Sequence, residues 1–490
     1  MSDTKQATPL TLKDLQAAVH GSAAAFRCRR SLQPAGKPGD KVFPPTYVGG
    51  TYAVEFRRWP GRTEPVPCVL MDSVQSQANR MEQALHEAGS ELGLPLVEVD
   101  FTDCAPTGDE AKDKEPGRLR DAVGKLSVLQ LPHRLADAIL RDSEVKEGGG
   151  SSEKKVPFRE SRQGKAVTDA TTSKATALYR LCPTALLFGM WDSTGPKGGL
   201  GAKFERAMVS EVVGIGAEFG VKTASRIDPL ISKTAGVILY EAKDSSRVWT
   251  LDPSLAKLKD GKPIPLGSKV KDGKLVMGDG KVSEANLGNV TPSFSKYSKG
   301  AEGLDPMKYR SASVEHTVHG NESEFSVRMR ASGEAPQARQ EQIAPGGVTL
   351  EYAEQITTLS LICLRRLQLP VKDKDSKATS DAGRAVLAAL GLCAAALAFE
   401  NGMGLRSRCL LWPETAMEWE LLEKPGEKEP KKFAITGNEA KALLKAAIKA
   451  AKDAGLEFEE SLTLKPSDDL KKLVRKSQDL AIKEVGGEGE

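Results

Sequence analysis

The sequence predicts an α+β chain whose strands and helices are interrupted by long polar insertions. Three observations predict it. Residues 66–71 (VPCVLM) carry an apolar strand pattern that passes directly into an amphipathic helix. The Ala- and Leu-rich run 385–399 reads as a buried helix. Two polar, Gly- and Lys-rich stretches, 142–175 and 243–310, break the apolar order.

In chain order, residues 1–60 offer a short helix at 12–19 and then a Pro/Gly-rich approach. Ser73 is a natural N-cap after strand 66–71, and Val74, Ala78, Met81, Leu85 and Ala88 recur at helical spacing. LPLVEVDF (94–101) suits another strand. Residues 142–175 read as a flexible loop or linker. Apolar order resumes at 177–191, and MVSEVVGIGAEFG predicts a strand or a short helix broken by glycines. The stretch 243–310 holds thirteen Lys/Arg against eight Asp/Glu, with hairpin-like turns at Asp260-Gly261, Asp272-Gly273 and Asp279-Gly280. Residues 348–369 and 385–399 are helix candidates, and 402–412 is a glycine turn entering a strand. The last ~70 residues suggest a helix at 438–454 and a frayed tail.

At 490 residues the chain is long enough for two to three domains or one core with large insertions. Its net charge of +4 announces no polyanion partner. Seven single cysteines without a C-x-x-C pair fit reduced thiols and argue against a disulfide framework or zinc site. The polar N-terminal stretch shows no secretory pattern, and 385–399 is short for a membrane span. A soluble, cytoplasmic protein is the expectation.

The stretch 189–214, GMWDSTGPKGGLGAKFERAMVSEVVG, raises the question of phosphate, because glycine turns let backbone N–H groups approach an anion. It fails the P-loop template, since Lys203 lies between Ala202 and Phe204. It also fails the dinucleotide template, where Phe204 stands for the third glycine. No cofactor is implied. Metalloprotease, α/β-hydrolase and kinase signatures are absent. His316 and His319 are the closest histidine pair but bring no acidic third ligand, and Asp72, Asp103, Asp192 and Glu211 have no spacing that makes them a set.

What remains are basic and amide groups on turns and helix starts. Ser73, Gln75, Ser76, Asn79 and Arg80 gather at one helix N-terminus, which offers unpaired N–H groups and partial positive charge. Lys197, Lys203 and Arg206 sit on the glycine-rich stretch. Arg406 and Arg408 would share a strand face. Three clusters of one chemistry favour sequence-independent grip on a nucleic-acid backbone.

LMDSVQSQANRMEQAL (70–85), LLFGMWDS…FERAMVSEVVG (186–214), GNVTPS (288–293) and LRSRCLLW (405–412), in that order, resemble a CRISPR-associated family. It is the RAMP-superfamily backbone subunit of type I Cascade complexes, in the type I-G (formerly I-U) branch. The resemblance implies an RRM-like (ferredoxin-like) palm, with an antiparallel sheet backed by helices and thumb or finger insertions. The palm would then take up 1–141, 176–242 with its Gly-rich loop, and 348–420. Residues 142–175 and 243–347 would be insertions, and 421–490 a charged extension. It also implies a non-catalytic subunit that polymerises in several copies along a CRISPR RNA and presents it for pairing with target DNA. The implied partners are the large subunit, a guide-end-capping RAMP subunit and a recruited helicase-nuclease. The ten residues named at the three clusters would hold RNA.

The aromatic RNP pattern of RNA-binding RRMs is absent, and Met71, Phe188, Met190 and Trp191 are expected in the core. The alternatives are a RAMP-type endoribonuclease using His316 or His319, and a cofactor-binding metabolic protein built on the glycine turn.

Overall fold

The computed structural model describes residues 7–47, 52–148, 154–194, 202–221, 223–224, 238–244, 246–271, 274–280, 293–294, 313–317, 326–330, 345–426 and 429–485. The chain forms two compact units. The first comprises Met1–Pro45, Val54–Glu218 and Thr349–Leu473, and the second Thr46–Ala53, Phe219–Val348 and Val474–Glu490.

The first unit is α+β. Its main sheet runs, in spatial order, Thr8–Pro9, Lys431–Ala434, Glu418–Leu422, Ala25–Pro34, Tyr352–Ser360, Met208–Ile215, Val66–Asp72 and Val54–Arg57. The hairpin Met403–Arg406 and Cys409–Pro413 joins it through Ala25–Pro34. Pairing is antiparallel throughout except at Thr8–Pro9. Helix Ser376–Glu400 is apolar nearly all round, and for that reason it lies inside, packed by helices Leu12–His20, Val74–Ala88 and Gly437–Asp453. It is the one described helix long and apolar enough to cross a membrane, and 78% of its apolar window is buried within the protein. Gly383 lets this helix pack closely: a Cβ there would meet Leu369 Cδ1 at 2.2 Å and Leu456 Cδ2 at 2.6 Å, so both leucines would have to shift.

Two expectations from the sequence are corrected. The helix expected at 348–369 is strand Pro345–Thr349, strand Tyr352–Ser360 and only then a short helix, Leu361–Arg365. The β-branched run Ile356-Thr357-Thr358 favours the strand, and alternate residues Ala353, Gln355, Thr357 and Leu359 are buried. The expected flexible loop 142–175 instead carries a hairpin, Ser143–Glu147 with Lys154–Pro157, and helix Arg162–Thr168.

That hairpin belongs to a second sheet, in the order Lys125–Ser127, Val97–Asp100, Leu462–Pro466, Ser143–Glu147, Lys154–Pro157. Its central strand comes from the charged C-terminal stretch, which brought no motif to the sequence reading. Strand 462–466 pairs in parallel with 97–100 and antiparallel with 143–147, with Val97, Val99 and Leu464 fully buried.

The described part of the second unit includes several short hairpins. Leu258–Lys259 pairs with Lys262–Pro263 around Asp260 (φ 53°) and Gly261 (φ 74°), the two positive φ values that a tight I′-type turn requires. Lys269–Lys271 pairs with Lys274–Val276; the turn Asp272-Gly273 lies outside the described residues. Leu239, Ala242, Ala256, Ile264 and Leu266 form its small buried core. Of the block GNVTPS, only Ser293 lies within the described residues.

Candidate functional site

Strand Val66–Asp72 delivers its last side chain beneath the start of helix Val74–Ala88. Ser73 caps that helix, its Oγ accepting from the Ser76 backbone N–H at 3.2 Å. The Asp72 side chain is wholly buried and accepts four hydrogen bonds. Ser76 Oγ (2.8 Å) and Arg406 Nη2 (3.2 Å) donate to Oδ1; Gln77 Nε2 (2.6 Å) and Arg80 Nε (2.9 Å) donate to Oδ2. Arg80 Nη2 also donates to the Leu405 carbonyl at 2.6 Å. Ser76 and Arg80, which the sequence offered to a phosphate, are thus already turned towards an internal carboxylate, joined there by Gln77, which was not among the candidates. Arg80 and Arg406 keep 34% and 25% of their side chains exposed.

The network continues inwards. Gln77 Oε1 accepts from Ser210 Oγ (2.9 Å) and Gln355 Nε2 (2.7 Å), and Ser210 shares a 2.8 Å hydrogen bond with Thr357. Gln355 Oε1 accepts from Arg30 Nη2, and the Arg30 guanidinium stacks on Phe399, 3.4 Å from the ring centroid. Burial pulls the Arg30 pKa down to about 10.

On the outer side of the helix lies an open cleft of about 460 Å³, lined by Ser76, Asn79, Arg80, Gln83, Glu87, Gln130 and Asn401 among others. Glu87 organises two of its amides, accepting from Gln83 Nε2 and Asn401 Nδ2 at 2.9 Å each. Gln75 and Asn79 are exposed on the same helix.

The glycine-rich stretch is fastened at its root. Gly189 (φ 83°) leaves helix Pro183–Phe188, and its carbonyl accepts from Arg134 Nη1 at 2.8 Å. Arg134 forms a buried two-pronged pair with Glu82, at 2.7 Å on each prong. Burial outweighs the arginine's attraction and raises the Glu82 carboxyl to about 7. Arg206 Nε donates to the Phe188 carbonyl at 3.2 Å, with the rest of its side chain exposed. Strands Met190–Trp191 and Lys203–Phe204 pair beyond this root, and Lys203 Nζ lies 5.4 Å from the centroid of Trp191. Lys197 lies outside the described residues.

Met71, Phe188 and Met190 are buried as expected, whereas Trp191, also expected in the core, is 56% exposed. At this strand's single outward position, it turns to solvent while Met190 turns in. Arg406 and Arg408 do not share a face. Arg408 sits in the hairpin turn at φ 55°, its guanidinium 4.2 Å from the Phe43 ring centroid, and Arg406 reaches inward to Asp72.

The four carboxylates weighed from sequence are separately engaged. Asp72 holds Arg80 and Arg406, Asp103 holds Lys465, Asp192 holds Arg159, and Glu211 holds Arg57. His316 lies in strand Ser313–Thr317, and His319 lies outside the described residues. All seven cysteines are buried, which pushes Cys28, Cys182 and Cys363 up to about 11 and Cys393 to about 12, far from a reactive thiolate.

Sequence reasoning missed Arg30, Arg134, Gln130 and Asn401. Arg30 had a signal: it falls in the buried phase Phe26, Cys28, Arg30, Leu32 of its strand, where a charge must find partners inside. Arg134, Gln130 and Asn401 sit on irregular segments or an element end, where no period marks them.

No curated protein matches the chain. Residues 26–219, the stretch that holds Arg30, Asp72, the cleft helix and the Lys203–Trp191 hairpin, match the family model described as CRISPR-associated protein GSU0053.

Proposed function

We propose that the chain is a non-catalytic, RNA-binding backbone subunit of a cytoplasmic type I-G surveillance complex, with an RRM-like, RAMP-type palm. In this reading several copies stack along one CRISPR RNA and leave its bases free to pair with target DNA. The large subunit and a guide-end-capping RAMP subunit complete the complex, which recruits a helicase-nuclease. One observation carries the reading: within the CRISPR-matched segment, Lys203 lies by an outward-facing Trp191, and exposed Arg206 sits at the root of the same stretch on the Phe188 carbonyl. Among the described residues no carboxylate lies within salt-bridge distance of either cation, although Arg206 also acts at longer range on the buried Glu82 carboxylate.

Such a surface has the chemistry that a guide of arbitrary sequence needs. Two cations meet phosphates, and an indole face stacks on any base. The cleft beside Arg80 adds amides of both donor and acceptor character.

The test is binding of purified protein to two guide RNAs of unrelated spacer sequence. Lys203→Ala with Arg206→Ala is expected to weaken both equally and to flatten the salt dependence. Unchanged binding overturns the assignment of the surface. Clean cleavage of precursor RNA without added metal overturns the non-catalytic reading in favour of an endoribonuclease.

A further inference from the structure

Arg30 is 3% exposed and ends in a small cavity of about 20 Å³ in the first unit. That volume suits one water molecule or one monatomic ion and is too small for a phosphate group. Gln77, Arg80, Gln355 and Thr357 supply the cavity's other polar side chains, and Phe399 and Met417 part of its apolar wall. Arg30 Nη1 is buried and finds no hydrogen-bond partner among the described residues.

Both amide oxygens at the cavity are engaged: Gln77 Oε1 takes hydrogen bonds from Ser210 and Gln355, and Gln355 Oε1 takes one from Arg30 Nη2. Because Ser210 gives its proton to Gln77, the Thr357 hydroxyl donates to Ser210 and keeps its lone pairs. Hydrogen bonding alone would suit a water molecule or an ion.

Charge decides between them. The lining carries two guanidiniums, Arg30 and Arg80, and no carboxylate, and Arg80 is answered by the buried Asp72. Among the described residues Arg30 touches no carboxylate: its partners are an amide and an aromatic ring. An uncompensated buried cation is costly, and a small counter-ion is the direct way to remove that cost.

We infer that this cavity is a binding site for a monatomic halide, chloride in the cell, held by Arg30 Nη1 against the Phe399 and Met417 wall with Arg80 alongside. The site stands independently of any nucleic-acid role. Arg80 lines both the cavity and the cleft, so occupancy also sets the charge at the cleft floor.

Two measurements test it. Thermal unfolding of the full chain at constant ionic strength is compared in sodium chloride, sodium bromide and sodium gluconate. The halides are expected to raise the Tm by about 2 °C over gluconate at tenfold excess over the dissociation constant. Arg30→Met should remove that difference. Crystals of the wild type soaked in bromide are expected to show an anomalous peak beside Arg30 Nη1, which needs no variant to fold. Equal Tm values in the three salts, or bromide found only on the surface, overturn the site.

Discussion

Arg80 and Lys203 are both cations singled out by a search for phosphate-binding groups, and they stand in opposite surroundings. Arg80 spends Nε on buried Asp72 and Nη2 on the Leu405 carbonyl. Lys203 rests on an exposed indole, with no carboxylate beside it among the described residues. The helix start joins a strand, a helix and a hairpin through one carboxylate, so its cations act first as structure. The Lys203–Trp191 hairpin holds its backbone through buried neighbours and leaves its side chains to solvent. Residue type and local spacing are alike in the two places; what differs is whether a carboxylate lies underneath.

The largest test of that contrast is Asp72→Asn. It leaves Arg80 and Arg406 beside a neutral amide in a fully buried position, and the loss of one partner of such a cluster costs about 3–5 kcal/mol. Denaturant unfolding reads it as a lower midpoint at unchanged slope. A loss below about 1 kcal/mol would mean that Asp72 does not organise this region. Arg80→Ala comes next, at about 1–2 kcal/mol, because it removes two charge-assisted hydrogen bonds from a side chain that is one-third exposed. A loss of RNA affinity in this variant must therefore be read against its folded fraction.

These positions show how far the sequence carried. Helix Val74–Ala88 was legible because Ser73 and a 3.6-residue apolar period are local signals, and strand Val66–Asp72 because it is an apolar run of ordinary length. Strand Tyr352–Ser360 was not: VTLEYAEQITTLSLICL offers apolar residues at helical as well as alternating spacing. Its neighbours on either side, 25–34 and 208–215, decide between them. Strand Leu462–Pro466 was hidden in a charged stretch because its partners lie over 300 residues away. At the candidate site, the residue types at the helix start were legible, but their destinations were not. The pairing of Arg406 with Asp72 is a contact across 334 residues, which no local pattern encodes.

The Glu82–Arg134 pair gives a finer probe, since it anchors the root of the glycine-rich stretch through the Gly189 carbonyl. Burial raises the Glu82 carboxyl from 4.5 to about 7, so between those values the folded state binds the proton more tightly than the unfolded state. Stability from this group therefore falls as pH rises from about 4.5 to about 7, and is level on either side. Glu82→Gln carries no such proton. Its stability relative to wild type is expected to rise across that window, because only the wild type loses the contribution of the bound proton. Parallel pH profiles for the two proteins would show that the carboxyl stays ionised throughout and that Arg134 holds it.

The smallest effect on stability, and the sharpest on function, belongs to the exposed pair. Trp191→Ala and Lys203→Ala remove surface side chains, so each should change unfolding stability by no more than about 0.5 kcal/mol. In RNA binding the two should separate. Loss of the indole should cost about 1–3 kcal/mol with little change in salt dependence, because stacking is not ionic. Loss of the lysine should lower the slope of log affinity against log salt by about 0.7, the signature of one phosphate contact on a single strand. Stability changes as large as those of Arg80→Ala would erase the distinction between the two regions. Unaltered stability with the two distinct binding signatures would establish the hairpin as a surface kept for RNA, while Arg80 and Arg406 serve chiefly to hold the fold around Asp72.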